Sequence, residues 1–131
     1  MERPYTDDYG QTLGTDFYTK NVSFKGKNPK VAMWDSSGSS RYATVTNSFY
    51  RSAEGWLLFF DKTNRTSFDE IETRWLGEIR KMGESWLEVV LVGNKTDSEN
   101  CSVSTEEATT FAADMDLPYI EISIKENTNV D

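Results

Sequence analysis

The sequence predicts an α/β domain with a mostly parallel sheet, because apolar, strand-like runs alternate along the chain with segments of helical periodicity. Residues 56–60 form a continuous apolar run that ends at Asp61, and residues 87–93 form a second run of this kind. Continuous runs are typical of strands that are covered on both faces. Since the 131 residues contain no evident linker or internal repeat, we expect one domain over residues 1–131.

The first predicted element is a strand hairpin in the amino-terminal half. Residues 17–24 alternate loosely between apolar and polar side chains, and residues 30–34 predict the returning strand. The loop between them reads Lys-Gly-Lys-Asn-Pro, which is a good hairpin loop. We expect this hairpin to add one antiparallel edge strand to the sheet.

Two helices are predicted to flank the sheet. One begins at Ser67, with Glu70 three residues later as in a capping box. Its apolar residues recur at helical spacing and are Phe68, Ile71, Trp75, Ile79 and Met82. The other begins near Ser104, with Glu107 three residues later. Its inward residues are predicted to be Ala108, Phe111, Ala112 and Met115.

The composition argues against several classes of partner and chemistry. A net charge of −8 argues against nucleic acid and anionic membrane surfaces as partners. No run approaches the roughly 20 apolar residues of a membrane span. Cys101 is the single cysteine and the chain has no histidine, so a catalytic thiol lacks an activating base. The lone cysteine fits a reducing compartment, and we expect a cytoplasmic protein.

The tetrapeptide Asn94-Lys95-Thr96-Asp97 carries the strongest functional signal, because it directly follows the second apolar run. The Asp97 carboxylate can accept from both the ring N–H and the exocyclic amino group of guanine. The Asn94 amide can bond the base and pin neighbouring loops, and the aliphatic stem of Lys95 can cover the ring. Ligands of open α/β sheets lie beyond the carboxyl ends of the strands, where we expect this tetrapeptide. Taken alone, it can instead cap a turn.

Two further segments point to the same ligand. In residues 31–38 a short apolar strand ends in Asp35 and in a small-residue loop that closes on Gly38. Asp35 can hold a magnesium ion through water, and the Gly38 N–H can contact a terminal phosphate. After a further apolar stretch, the backbone of residues 121–125 can contact the guanine carbonyl.

In order and spacing, these three segments resemble the magnesium and γ-phosphate loop, the base-reading loop and the last base-contacting loop of Ras-superfamily GTPases. The resemblance narrows to the Rab family, since residues 12–17 are similar to the Rab effector loop. Phe17, Trp34 and Phe49 match the positions of the Rab aromatic triad. The similarity runs from about residue 5 to residue 131.

The resemblance implies a guanine-nucleotide switch of vesicle traffic that binds GTP or GDP with Mg²⁺ and recognises protein effectors. The guanine-binding residues that it implies are Asn94, Lys95, Asp97, Ser123, Ile124 and Lys125. It places Gly38 at the phosphates and both Thr12 and Asp35 at the metal. The effector patch that it implies consists of Phe17, Trp34 and Phe49.

The chain departs from the family in two ways. No segment reads Gly-x-x-x-x-Gly-Lys-Ser/Thr, and the family's first strand, phosphate-binding loop and first helix have no counterpart. We therefore expect an incomplete Ras-like fold of the P-loop NTPase class, with weak nucleotide binding. Ser39 stands where the family has the glutamine that orients the attacking water, so we expect no catalytic residue and little or no hydrolysis.

The same departures leave a second hypothesis open, a non-catalytic Rab-like module that binds proteins in a larger assembly. The family places its first strand between those that correspond here to residues 30–35 and 55–61, so we expect two unpaired strand edges. A partner protein or a second copy of the chain can satisfy such edges. The chain ends at Asp131 without a carboxyl-terminal cysteine, and we expect no prenyl anchor.

Overall fold

The computed structural model describes residues 6, 10, 12–38, 53–82 and 88–130. These residues belong to two compact units, one covering Thr6–Ser52 and the other including Ala53–Asp131. Ser39 and Phe49, which the family resemblance singled out, lie outside the described residues. The expectation of one domain over residues 1–131 stays a prediction.

The first unit contains a β-hairpin, as the sequence predicted. Strand β1 (Thr15–Asn21) pairs antiparallel with strand β2 (Lys30–Ser36). Phe17 lies opposite Trp34 in this register, so these two side chains share one face of the ribbon. The first strand ends three residues before the predicted limit at residue 24, because the chain beyond it already forms the turn.

The turn of the hairpin is closed by two backbone hydrogen bonds. Phe24 and Lys27 each donate an N–H to the carbonyl of the other, at 2.8 and 2.9 Å. The two residues between them, Lys25 and Gly26, have positive φ values of 49° and 75°. Positive φ at both central residues is the geometry of a type I′ turn, which matches the twist of the flanking strands.

The second unit contains a parallel sheet of three strands in the order β3-β4-β5. These strands are β3 (Gly55–Asp61), β4 (Glu88–Asn94) and β5 (Tyr119–Glu121). The register places Phe59 beside Val92 and Val92 beside Ile120. The α/β prediction with mostly parallel pairing is therefore confirmed, and the antiparallel pair forms a two-stranded sheet of its own among the described residues.

The helix after β3 begins three residues earlier than predicted. Helix α1 spans Arg65–Glu70, and its N-cap is Asn64, whose side chain accepts from the Ser67 N–H at 3.4 Å. The predicted start at Ser67 was wrong because this hydroxyl serves the end of β3 instead. It accepts from the Asp61 N–H at 3.0 Å and donates to the Asn64 carbonyl at 2.7 Å.

A π-helical turn interrupts the regular helix that the sequence predicted. It spans Ile71–Trp75 and is followed by helix α2 (Leu76–Met82). The Leu76 N–H donates to the Ile71 carbonyl, five residues back, so one extra residue enters the turn. As a result Leu76 is buried at 4% exposure, while the predicted core residue Trp75 is only partly buried.

Helix α3 (Thr105–Asp114) agrees with its prediction. Ser104 is the N-cap and its hydroxyl accepts from the Glu107 N–H at 3.1 Å. Its buried residues are Ala108 and Ala112, which lie on the predicted inward face. The serine half of the predicted capping box is therefore present, while the Glu107 carboxylate forms an ion pair with Arg65.

The core of the second unit lies between one face of the sheet and the helices. Its buried members are Leu58, Phe60, Phe68, Ile71, Leu76, Ile79, Leu91, Val103, Ala108 and Ala112. Phe68 packs edge-on against Phe60 and Phe111, with ring centroids 4.9 and 5.1 Å apart. On the other face of the sheet, Leu57 and Phe59 are 59% and 51% exposed. This core fixes the carboxyl ends of β3 and β4, from which the candidate site is built.

Candidate guanine-nucleotide site

Asn94 ends β4 and connects three segments at the carboxyl edge of the sheet. Its carbonyl accepts from the Lys62 N–H at 3.0 Å, which ties it to the chain leaving β3. Its side-chain Oδ1 accepts from the Ile124 N–H at 3.3 Å, which ties it to the last predicted loop. Asn94 thus joins two neighbouring segments, and its role in guanine binding stays a prediction. The backbone of residues 121–125 was expected to contact the guanine carbonyl, but the Ile124 N–H already has an acceptor within the chain.

Gly93 allows β4 and its neighbours to approach closely at this edge. A Cβ atom at Gly93 would lie 2.8 Å from the Tyr119 hydroxyl and 3.0 Å from the ring of Phe60. Carbon atoms do not approach to such distances, so a larger residue would force both aromatic side chains to move. The sequence showed a glycine before Asn94 but gave no signal for this close packing.

Lys95 is held in a left-handed conformation with φ of 66°. Its ammonium lies 2.7 Å from a carboxylate oxygen of Asp61, the last residue of β3. Asp61 also accepts from the N–H and the hydroxyl of Thr63, at 2.8 and 2.6 Å. Although partial burial opposes ionisation, the hydrogen bonds from Lys95 and Thr63 lower the pKa of Asp61. The sequence analysis did not identify Asp61 as a site residue. Its position at the end of the apolar run 56–60 could have indicated this role.

Asp97 and Ser123 meet across the two loops, 26 residues apart in the chain. The Ser123 hydroxyl donates to Asp97 Oδ1 at 2.6 Å, and the Ser123 side chain is buried at 1% exposure. This hydrogen bond lowers the pKa of Asp97, with help from the charges of Lys125 and Lys95. Asp97 is exposed and ionised at neutral pH, so it presents an acceptor group to solvent.

The loop that carries Ser123 is closed on itself and on the β4 loop. Ser123 and Thr128 exchange backbone hydrogen bonds of 3.1 and 2.9 Å. The Thr96 N–H and hydroxyl both donate to the Ile122 carbonyl, at 3.3 and 3.0 Å. The Asn129 amide donates to the Glu121 carbonyl at 2.9 Å. The structure thus brings the predicted residues 94–97 and 121–125 into one hydrogen-bonded group.

The predicted metal residues meet in the first unit. The Thr12 hydroxyl donates to Asp35 Oδ2 at 3.4 Å. Both groups offer oxygen atoms, the ligands that Mg²⁺ prefers, so their chemistry fits a magnesium ion that Asp35 would hold through water. The described residues hold no group of three or more His, Cys, Asp or Glu for a metal. Gly38 follows on an exposed loop.

The comparisons with known proteins identify the family of the chain. The family model described as the Ras family matches residues 1–131. The chain belongs to the Ras family. The predicted Ras-like α/β fold is confirmed by this match, and the predicted Rab resemblance is confirmed by the relatives that follow.

Several relatives carry Rab or Ypt names. The chain is 38% identical over 128 residues to GTP-binding protein YPTM1 of Zea mays, covering 97% of this chain and 61% of the relative. It is 42% identical over 121 residues to GTP-binding protein ypt3 of Schizosaccharomyces pombe, covering 92% and 56%. It is 39% identical over 128 residues to Ras-related protein Rab-1D of Dictyostelium discoideum, covering 97% and 62%. The chain thus spans about three fifths of the length of the relatives it matches.

Two of the three Rab-type aromatic positions can be located in this Ras-family chain. The rings of Phe17 and Trp34 have centroids 4.4 Å apart at an interplanar angle of 43°. Their side chains are 51% and 47% exposed, so they form an accessible aromatic pair. Phe49, the third position, lies outside the described residues. The effector-patch role of this pair stays a prediction.

A buried polar cluster behind the base-reading loops was not predicted. The Lys62 ammonium lies 2.6 Å from Glu121 Oε1 and donates to the Thr105 hydroxyl at 2.9 Å. The Tyr119 hydroxyl donates to the same Glu121 oxygen at 2.7 Å. Burial opposes ionisation of Glu121, but the bonds from Lys62, Tyr119 and Thr105 hold its pKa below the usual value. Burial and the neighbouring carboxylate raise the pKa of Tyr119.

The helices of the described residues are too short or too polar to cross a lipid bilayer.

Proposed function

We propose that the chain is a cytoplasmic, Rab-type guanine-nucleotide module of vesicle traffic. The observation that carries this proposal is the hydrogen-bonded group formed by Asn94, Asp97, Ser123 and Ile124. Turn capping alone needs no bonds between two loops that are 26 residues apart. A base-reading site does need them, because its hydrogen-bonding groups must be held in fixed positions before the ligand arrives.

In this proposal, Asp97 reads the base. Its carboxylate accepts from the ring N–H and the exocyclic amino group of guanine, and adenine offers no such pair of donors on one edge. The bond from the buried Ser123 hydroxyl keeps the carboxylate ionised and oriented. The stem of Lys95, whose ammonium is held by Asp61, covers one face of the ring. Lys125 and the backbone of the last loop complete the base site.

Mg²⁺ and the phosphates are assigned to the residues of the first unit that fit them. Thr12 would hold the ion through its hydroxyl and Asp35 through a water molecule, and Gly38 would contact the terminal phosphate. When bound, Mg²⁺ neutralises phosphate charge and orients the terminal phosphoryl group.

We further propose that the 131-residue polypeptide binds GTP or GDP weakly and hydrolyses GTP slowly or not at all. A phosphate loop supplies backbone N–H groups and a lysine to the phosphates, and these residues contain no such motif. The position of the water-orienting glutamine is occupied by Ser39, whose hydroxyl is too short for the same span. In this reading the chain is a pseudo-GTPase in isolation.

The test is a titration of the polypeptide with fluorescent GDP in the presence of Mg²⁺, with unlabelled GDP and ADP as competitors. We expect a dissociation constant above roughly 1 µM, which is less than about 8 kcal/mol of binding free energy, with GDP competing better than ADP. Submicromolar affinity would contradict weak binding. Equal competition by GDP and ADP would contradict base reading.

An exchange of the base-reading group sharpens this test. Asp97→Asn replaces one accepting oxygen by an amide donor, so the variant should lose GDP and favour xanthosine diphosphate, whose ring carries a carbonyl in place of the amino group. Asp114→Asn, an equal change at an exposed position of α3, should leave the preference for GDP unchanged. If both variants behave alike, Asp97 does not contact the base.

A second candidate function is a non-catalytic interaction module in a larger assembly. It is favoured by the apolar side chains on one face of the parallel sheet, where Leu57, Phe59 and Ile120 are 59%, 51% and 41% exposed. Parallel sheets are almost always covered on both faces, so an exposed apolar face of this kind favours an additional layer. Sedimentation velocity of the purified chain tests self-association, and a stable, cooperatively unfolding monomer would count against this candidate.

A further inference from the structure

The hairpin of the first unit carries a charge opposite in sign to that of the rest of the chain. Residues 17–34 contain four lysines and no aspartate or glutamate. Since the whole chain carries −8, this segment carries +4 and the remaining residues carry −12. The chain is acidic overall but contains a basic segment. The net charge of the whole chain therefore does not exclude anionic partners for the hairpin.

The four lysines surround the end of the hairpin. Lys25 lies at the turn itself and Lys27 closes it. Lys30 lies opposite Asn21, and Lys20 is the residue before Asn21 on the same strand. Because side chains of successive strand residues point to opposite faces, Lys20 and Lys30 project on opposite sides of the ribbon. Residues 20–30, the hairpin tip, thus carry lysines on both faces of the ribbon and at its turn.

An exposed aromatic ring stands in the middle of this charge. Phe24 is 61% exposed, and the Lys25 ammonium lies 5.1 Å from its ring centroid. Phe24, Lys25, Lys27, Asn28 and Pro29 line a shallow concavity on the surface. An exposed aromatic ring beside lysines combines two attractions that hold peripheral proteins on lipid surfaces. These are the burial of apolar area and the attraction of cations to anionic lipid.

The turn places Lys25 in a conformation that disfavours a lysine. Its φ of 49° is left-handed, where type I′ turns usually have Asn, Asp or Gly. The turn geometry therefore does not call for a lysine at this position.

We propose that the hairpin tip binds anionic lipid headgroups at a membrane surface. The lysines contact the phosphate and carboxylate groups of the headgroups, and the Phe24 ring enters the interfacial layer. This contact is reversible and peripheral, and it is independent of nucleotide.

Lipid fits the hairpin tip better than the other anionic partners do. A stable protein interface takes about 20–30 residues from each partner, more than the eleven residues of the hairpin tip. Single-stranded nucleic acid is held by successive bases stacked on several aromatic rings, and the tip holds one, Phe24. A lipid surface needs neither a complementary groove nor a row of rings.

The experiment is co-sedimentation of the full chain with vesicles of phosphatidylcholine alone or with phosphatidylserine. We expect binding only with phosphatidylserine, and loss of that binding at high salt, since screening weakens exposed charge interactions. Each lysine near an anionic surface contributes about fivefold in affinity, so the Lys25→Gln/Lys27→Gln variant should bind about 30-fold more weakly. Phe24→Ser should also weaken binding while leaving its salt dependence in place.

The control variant changes the same charge elsewhere. Arg80→Gln/Lys81→Gln removes two exposed cations from α2 and should bind like the unaltered chain. Equal losses in both double variants would overturn the proposal, because total charge would then govern binding. Equal binding to both kinds of vesicle would also overturn it. Binding of a single-stranded oligonucleotide without vesicle binding would assign the hairpin tip to nucleic acid instead. Circular dichroism checks that each variant remains folded.

Discussion

Removing the Glu121 carboxylate from the buried ion pair with Lys62 should destabilise the second unit far more than removing a carboxylate from one of its exposed ion pairs. The Lys62 side chain is 6% exposed and that of Glu121 is 24% exposed. Replacing Glu121 by glutamine keeps the shape of the side chain but leaves the buried ammonium without a compensating charge. Removal of one partner of a buried pair costs about 3–5 kcal/mol.

Partial exposure of Glu121 reduces this figure for Glu121→Gln to roughly 2–3 kcal/mol, because solvent screens part of the interaction. Lys62→Met should cost only about 1 kcal/mol, since Glu121 keeps its donors Tyr119 and Thr105 and some contact with water. For a domain of this size, the Glu121→Gln loss lowers the melting temperature by roughly 10 °C. A larger stability loss for Glu121→Gln than for Lys62→Met would indicate that the Lys62 ammonium is buried.

The assay is urea unfolding at neutral pH, followed by far-ultraviolet circular dichroism. A cycle of Lys62→Met, Glu121→Gln and the double variant isolates the pair energy. Asp69→Asn is the matched control, because it makes the same carboxylate-to-amide change in an exposed ion pair. Asp69 pairs with Arg65, and the side chains of Arg65 and Asp69 are 50% and 52% exposed. That change should cost less than about 0.5 kcal/mol. Equal effects of Asp69→Asn and Glu121→Gln would refute the reasoning.

Three further predictions concern stability. The folded state holds the pKa of Glu121 and of Asp61 below their ordinary values of 4.5 and 3.8, so their contribution is complete above those values. We expect stability to fall as the pH drops through the lowered folded-state values, which urea unfolding across an acidic pH series would measure. Gly93→Ala should lower the free energy of unfolding by about 1–3 kcal/mol, because the new methyl group overpacks the site. Tyr119→Phe should recover part of this loss, and the absence of any loss would show that the sheet edge adapts. Ser104→Ala should cost about 1 kcal/mol in the same assay, and an unchanged midpoint would mean that the cap is dispensable.

Much of the fold could be predicted because its signals are local. The hairpin could be predicted from its loop at residues 25–29, and the cap of α3 from Ser104. The start of α1 could not be placed, because Asn64 and Ser67 are both good caps and lie one turn apart. The π-helical turn also gave no signal, since a helical period of apolar residues does not reveal one extra residue.

The residues in and around the candidate site also divide into those that a local pattern reveals and those that only the fold brings together. Asn94 and Asp97 stand in one tetrapeptide and could be found by its pattern. Lys62 and Glu121 are 59 residues apart, and only the parallel arrangement of β3, β4 and β5 brings them together. A lysine after an apolar strand is ordinarily a solvated residue, so its burial could not be inferred from the sequence.

In the function proposed above, the Lys62–Glu121 pair also connects stability to base recognition. The Lys62 N–H donates to the Asn94 carbonyl, and the Glu121 carbonyl accepts from Asn129, so one ion pair joins the two loops of the base site. Glu121→Gln should therefore reduce discrimination between GDP and ADP at temperatures where circular dichroism shows the variant fully folded. The Asp69→Asn control should leave this discrimination unchanged, since it touches neither loop. If Glu121→Gln lowers stability but keeps discrimination, the loops are positioned by their own hydrogen bonds, and the ion pair contributes to folding alone.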